Sequence, residues 1–242
     1  MSKIDLFKKN GFIVLRNIID KKIINECLKT AKKINPKNFT KNKYVIFDEA
    51  KNKKKYLKYF QHIEIFFPEF YKLQNQKILE ISKNLFNQNT YFCSMGLHNK
   101  APSQGTSTPF HQDNFFNRKK PPFELTAYIP LEKQDKTNGS IIYVKGSHKK
   151  GVLKHVPSNA KAFSATLQDF KSVKKNKIYR TRLNKGDIIF HHTNVIHGAE
   201  KNNSKSKTRF AVSVSIVGIK SKIDNKLNKI YQKFLKSNRK LS

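Results

Sequence analysis

The stretch Tyr91-Phe92-Cys93-Ser94-Met95-Gly96-Leu97-His98 begins a change of texture in this chain. From there to about residue 218, short runs of β-branched and aromatic residues recur between turn residues, the spacing of a sandwich or barrel rather than of β-α-β units. Strands are expected at Tyr91–His98, Thr106–Asp113, Phe123–Pro130, Ser140–Val144, Ile178–Leu183, Asp187–His191 and Arg209–Val217. Asn138-Gly139, Gly146-Ser147 and Lys185-Gly186 supply turns between them. Upstream, Gly11-Phe12-Ile13-Val14-Leu15 reads as a short strand. Asp20 reads as the N-cap of an amphipathic helix carrying Ile23, Ile24, Cys27 and Leu28 on one side. The lysine-rich stretch from Pro36 to Tyr59 has little periodicity and is expected to be loop with short helical pieces. Pro68 should open a helix running to Phe86. The run Ser221–Leu235 reads as a basic amphipathic helix with Leu227, Ile230, Tyr231 and Phe234 on its apolar face. The expected fold is mainly β with flanking helices, a double-stranded β-helix or jelly roll. A single domain over 1–242 is expected: a helical part to about 90, a jelly-roll core over 91–218 and a C-terminal helix over 221–238.

Within that β region lies Phe110-His111-Gln112-Asp113. On an extended segment the period of two aims His111 and Asp113 to one face, where a histidine from another strand can complete a metal site. His197 in Val195-Ile196-His197-Gly198 is one such histidine; on spacing alone His191 and His192 compete with it. Two imidazoles and a carboxylate occupy three adjacent positions of an octahedron and leave the others open, which suits non-haem Fe(II) oxygen chemistry. Arg209, twelve residues after His197, offers the planar, permanently charged group that would pair with the far carboxylate of a co-substrate such as 2-oxoglutarate.

The bulk composition limits the alternatives. Fifty basic residues against 16 acidic give a formal charge of +34, a field that favours anionic partners. Only six of the cations are arginine, and lysine is scattered through every segment, a pattern of background composition rather than of a recognition patch, so specific nucleic-acid binding is not expected. No apolar stretch is long enough to span a membrane and no cleavable leader is legible, so a cytoplasmic protein is expected. Cys27 and Cys93 form neither a CxxC pair nor a disulfide framework and are read as reduced packing residues.

In order along the chain stand Asn99-Lys100-Ala101-Pro102, His111-Gln112-Asp113, Asn138-Gly139-Ser140, Gly146-Ser147-His148-Lys149, Gly186-Asp187, His197-Gly198, Asn203 and Arg209. This ordered set resembles the phytanoyl-CoA dioxygenase family of Fe(II)/2-oxoglutarate-dependent oxygenases. The resemblance implies a cupin-like jelly roll, Fe(II) as metal, and 2-oxoglutarate and O2 as co-substrates. It assigns iron to His111, Asp113 and His197, in preference to His191 or His192, and the distal carboxylate of 2-oxoglutarate to Arg209. It sets Tyr128 beside the co-substrate, with Gln112 near the same site, and Asp113 argues against the halogenating variant, which vacates the carboxylate position. The implied reaction is hydroxylation of a C–H bond in a small-molecule metabolite, with the charge suggesting an anionic or coenzyme A-linked one. Substrate contacts are expected from Asn114, Phe115 and Phe116 after the metal motif. They are also expected from His155, Phe163 and Phe170 in the long segment 151–179, read as a lid. A nucleic-acid oxygenase and a non-catalytic basic binding protein on the same scaffold are the rival readings. The oligomeric state is left open.

Overall fold

The computed structural model describes residues 1–49, 55–103, 106–170 and 177–239. The first half runs α1 (Lys3–Asn10), β1 (Phe12–Leu15), α2 (Lys21–Lys33), β2 (Val45–Glu49), β3 (Lys55–Gln61), α3 (Ile63–Phe66), α4 (Gln76–Phe86), β4 (Thr90–His98) and β5 (Thr108–His111). The second half runs α5 (Asp113–Asn117), β6 (Lys119–Lys120), β7 (Glu124–Pro130), β8 (Ile141–Val144), β9 (His155–Ala160), β10 (Phe163–Leu167) and β11 (Ile178–Arg180). It closes with β12 (Ile188–His192), β13 (His197–Ala199), β14 (Ala211–Gly218), β15 (Lys222–Ile223) and α6 (Asn225–Arg239).

Two antiparallel sheets face each other as a jelly roll. The larger has the order β1-β12-β7-β14-β4-β3-β2 and the smaller β11-β8-β13-β5. Strands buried on both faces explain the near-continuous apolar runs: Leu125, Ala127 and Ile129 of β7, and Val212, Val214 and Ile216 of β14, are fully buried against the outer helices. The opposite faces of the same strands turn Thr126, Tyr128, Ser213 and Ser215 toward the smaller sheet or the cavity edge. Between the sheets Phe12 stacks on Tyr143 with ring centroids 4.5 Å apart.

Asp20 caps α2 by accepting the Lys22 amide at 2.7 Å, and the helix buries Ile24, Cys27, Leu28 and Ala31. Elsewhere the chain corrects the sequence expectations. The stretch 36–59 contains two strands, β2 and β3, which extend the larger sheet beyond β4; residues 50–54 lie outside the described set. Lysines within β3 and around β2 hid the pattern, and a register that skips Lys58 puts Leu57 and Phe60 in the core while Tyr59 faces the other way. The helix expected from Pro68 to Phe86 is broken: a 3-10 segment ends at Leu73, and Asn75 caps a new helix by accepting the Ile78 amide at 3.2 Å. The expected strand Thr106–Asp113 ends at His111, and Asp113 opens α5. The segment 151–179 carries the hairpin β9–β10, with 171–176 outside the described residues. In α6, Phe234 is buried, whereas Ile230, expected on the apolar face, is 49% exposed. No helix among the described residues is long and apolar enough to cross a membrane.

Candidate active site

His111 and His197 are direct cross-strand partners between β5 and β13, so register alone brings the two imidazoles together, with ring centroids 4.3 Å apart. Asp113 is not on the strand. Gln112 keeps an extended backbone (φ −125°, ψ 129°), and this one extended residue preserves the two-residue aim before the chain turns into α5. The Nε2 atoms of His111 and His197 then stand 3.6 and 3.5 Å from Asp113 Oδ1.

The surroundings fix which atom of each side chain is free. His111 Nδ1 donates to the Pro109 carbonyl at 2.8 Å and His197 Nδ1 to the Val195 carbonyl at 3.1 Å, leaving both Nε2 lone pairs facing the shared space. Asp113 Oδ2 receives Thr126 Oγ1 and His191 Nε2, each at 3.0 Å, and His191 Nδ1 accepts the Tyr143 hydroxyl at 2.8 Å. Oδ1 is thereby left to the space between the two Nε2 atoms. Burial keeps the His197 imidazole neutral well below its ordinary range, despite the attraction of Asp113. Burial also opposes ionisation of Asp113, but His197 and the imidazoles of His111 and His191 overcome it and hold the carboxyl well below the carboxylate range. Two neutral nitrogens and a carboxylate oxygen, all within 4.8 Å of one another, fit a divalent first-row metal such as iron.

Arg209 precedes β14 and lines the same cavity, of about 350 Å³. It is 4% exposed, yet its hydrogen bonds go to uncharged groups: Nε to the Gly139 carbonyl at 3.2 Å and Nη1 to the Tyr128 hydroxyl at 3.0 Å. Tyr128 passes its own proton to Gln134 Oε1 at 2.9 Å, and Gln134 is tied to the Phe210 carbonyl. A buried guanidinium held by neutral oxygens is costly unless an anion joins it, so this wall is suited to receive a carboxylate. Its charge is felt nearby: burial first, and Arg209 second, push Lys100 down to about 6 and His98 to about 3.

The cavity thus gathers His111, Asp113, His197, Arg209, Tyr128 and Phe116. Phe163 also lines it, its ring 5.3 Å from that of His111. Other expected residues stand apart. Gln112 is buried behind the His111–Asp113 pair, donating to the carbonyls of Gly151 and Asn194 and accepting the Leu153 amide; it pins the base of the hairpin rather than touching the co-substrate space. Asn114 brackets the turn after α5 through the Lys119 amide and carbonyl. Phe115 packs on His155 at 4.2 Å and on Phe234 of α6, and His155 Nε2 accepts the Gln112 amide. Phe170 stacks on Phe110 at 3.6 Å. These are packing roles: beyond Asp113 the chain turns into a helix whose successive side chains point in different directions.

Sequence reasoning weighed His191 only as a rival metal ligand, whereas it holds Asp113, and assigned no site role to Tyr59, His98, Asn117 and Ser213, which line the cavity. A histidine ending the buried run Ile188-Ile189-Phe190 was the available signal for His191. Tyr59, His98 and Ser213 come together through pairings between distant strands, and Asn117 lies one helical turn beyond Asp113 on α5.

The family model for phytanoyl-CoA dioxygenase (PhyH) matches residues 7–211. The peroxisomal phytanoyl-CoA dioxygenase of Bos taurus is 26% identical over 82% of this chain, and the match spans 63% of the bovine protein. A probable phytanoyl-CoA dioxygenase of Caenorhabditis elegans is also 26% identical, over 82% of this chain and 69% of its own length. Among solved structures, EctD from S. alaskensis with 2-oxoglutarate and 5-hydroxyectoine superposes with a TM-score of 0.74 at 15% identity, covering 93% of this chain and 78% of that one. EvdO2 from Micromonospora carbonacea var. aurantiaca, complexed with 2-oxoglutarate, gives 0.72 at 16% identity, covering 92% and 91%. The fold agrees with these structures, and the match over most of its length makes this chain a member of the phytanoyl-CoA dioxygenase family.

Proposed function

We propose that the protein is an Fe(II)/2-oxoglutarate-dependent dioxygenase that hydroxylates a C–H bond of a small-molecule metabolite. The observation that carries this reading is one cavity holding three convergent ligand atoms and a buried arginine bonded only to neutral groups. His111, Asp113 and His197 would hold the metal; Arg209, steadied by Tyr128, would take the distal carboxylate of 2-oxoglutarate. When bound, Fe(II), 2-oxoglutarate and O2 supply the oxidising power: one oxygen atom replaces a C–H hydrogen by hydroxyl, the other enters succinate, and carbon dioxide leaves. The chain's own part is orientation. His191, Thr126 and Tyr143 hold Asp113 in one rotamer, the carbonyls of Pro109 and Val195 fix the imidazole tautomers, and the Phe116 and Phe163 rings shield the metal side of the cavity from water.

Asp113→Ala should abolish 2-oxoglutarate-dependent succinate formation while circular dichroism and thermal unfolding still report a folded protein. Turnover equal to that of the unaltered protein would remove Asp113 from the metal site. Anaerobic loading with Fe(II), 2-oxoglutarate and a metabolite pool, then exposure to oxygen and mass spectrometry for a gain of one oxygen atom, identifies the hydroxylated compound.

A further inference from the structure

The molecule carries a formal charge of +34, yet among the described residues the cavity lining contains no lysine and no glutamate. Apart from Asp113 at the metal side and Arg209 at the co-substrate wall, the ionisable side chains facing the cavity are histidines and tyrosines; His98 is neutral, and burial pushes the Tyr59 phenol up to about 12. The nearest lysines are engaged: Lys58 pairs with Asp48 at 2.9 Å, and Lys100 donates to the Thr106 carbonyl. Among the described residues, no lining side chain is therefore free to pair a second carboxylate, a phosphate or an ammonium group.

What the wall presents is neutral and polar. Among the described residues, the Tyr59 hydroxyl, the Gln61 amide and the Ser94 hydroxyl line the cavity without a side-chain hydrogen bond to protein. Tyr59 reaches this wall because residue 96 is glycine: a Cβ there would come within 2.8 Å of the Tyr59 ring and 2.9 Å of its hydroxyl. Asn117, at the end of α5, is aimed. Its Nδ2 donates to Glu124 Oε1 at 2.9 Å, so the amide oxygen is the atom left for a ligand. Glu124 is 3% exposed and also receives Ser215 Oγ at 2.6 Å on the same oxygen, while its Oε2 has no partner, so its bonds within the protein are spent on holding Asn117 and Ser215. Phe116 and Phe163 supply apolar faces beside His111.

We propose that the substrate is a small, uncharged molecule bearing hydroxyl or amide groups, of monosaccharide, cyclitol or nucleoside character, with Asn117 as a specificity-determining hydrogen-bond acceptor and Glu124 as its positioning residue. This rests on the function proposed above and narrows it: the anionic or coenzyme A-linked substrate suggested by net charge finds no ion-pair partner among the described residues that line the cavity.

The test is saturation-transfer NMR on protein loaded with Zn(II) and 2-oxoglutarate, which binds without turning over. The probes are N-acetylglucosamine, myo-inositol and uridine, set against hexanoate, choline and hexanoyl-coenzyme A. Transfer to at least one neutral probe and to none of the charged ones is expected. Asn117→Leu and Ser94→Ala should each weaken that neutral probe about five- to tenfold, the worth of one hydrogen bond. Glu124→Leu should raise KM more than it lowers kcat once a turned-over substrate is in hand, and Glu124→Gln, which keeps an acceptor for Asn117, should restore it. Two variants at separate positions guard against misfolding of either. Transfer to a charged probe, or to no neutral probe, overturns the inference. Transfer from 2-oxoglutarate itself is read in the same spectra: its absence contradicts the oxygenase reading, whereas its presence with failure of the neutral probes contradicts only the substrate class.

Discussion

At the scale of single residues, the cavity divides into groups readable locally and groups that are not. His111, Asp113 and His197 were legible because each sits in a short motif, and Arg209 because it follows His197 by twelve residues. His191 stood in the sequence only as a rival ligand and Lys100 only as part of a motif; their roles were not legible, since these come from what strand pairing places beside them. Lys100 has a measurable consequence. Burial, with Arg209 second, lowers it to about 6 from its ordinary value of 10.5, so the native state sheds a proton that the unfolded chain keeps. Stability linked to this group is therefore greatest above about pH 10.5, falls as pH drops through the interval, and levels off below about 6. Lys100→Met should stabilise the metal-free protein by about 1–3 kcal/mol at pH 7, an advantage that shrinks as pH rises toward the unfolded value. Urea denaturation of both proteins at several pH values checks it; a constant difference would show that Lys100 is charged in the native state.

At the scale of elements, strands with strong apolar runs were legible and short or polar-diluted ones were not. β2 escaped because it is short and ends in Asp48 and Glu49, and β3 because Lys55, Tyr56, Lys58 and Tyr59 dilute its apolar residues and the bulge at Lys58 breaks the period of two. The split between the 3-10 segment and α4 was written in Asn75, a cap residue that the apolar spacing on either side overshadowed. Gln112 departs from expectation for a different reason: the family resemblance set it near the co-substrate, but alternation along an extended backbone turns it to the opposite side. There it bonds Gly151, Leu153 and Asn194 at 2.6–2.7 Å, joining β5, the segment leading to the β9–β10 hairpin and the loop before β13. Gln112→Leu strands two buried carbonyls and an amide, so it should cost about 3 kcal/mol or more, a fall in Tm of about 6–12 °C for a chain of this size. Differential scanning calorimetry reads it directly. An unchanged Tm would mean that the hairpin base is held by packing alone.

At the scale of the whole molecule, the jelly roll was legible from texture, and the charge of +34 is spread over a surface that the cavity does not share. Scattered lysines attract polyanions without organising them, so oligonucleotides should bind only weakly, independently of sequence, and release near ~0.15 M salt. Fluorescence anisotropy across a salt series decides this, and submicromolar binding that persists at ~0.15 M would restore the nucleic-acid oxygenase reading. The central claim is that two sheets bring a metal triad and a buried guanidinium to one cavity in order to hold a dicarboxylate. Anaerobic calorimetric titration of 2-oxoglutarate into the Fe(II)-loaded protein and into Arg209→Lys tests it most directly. Lysine cannot reproduce the fork of a guanidinium, so the account predicts single-site binding weakened by about 1.5–3 kcal/mol, roughly ten- to more than a hundredfold. Equal affinity in the two proteins would contradict it.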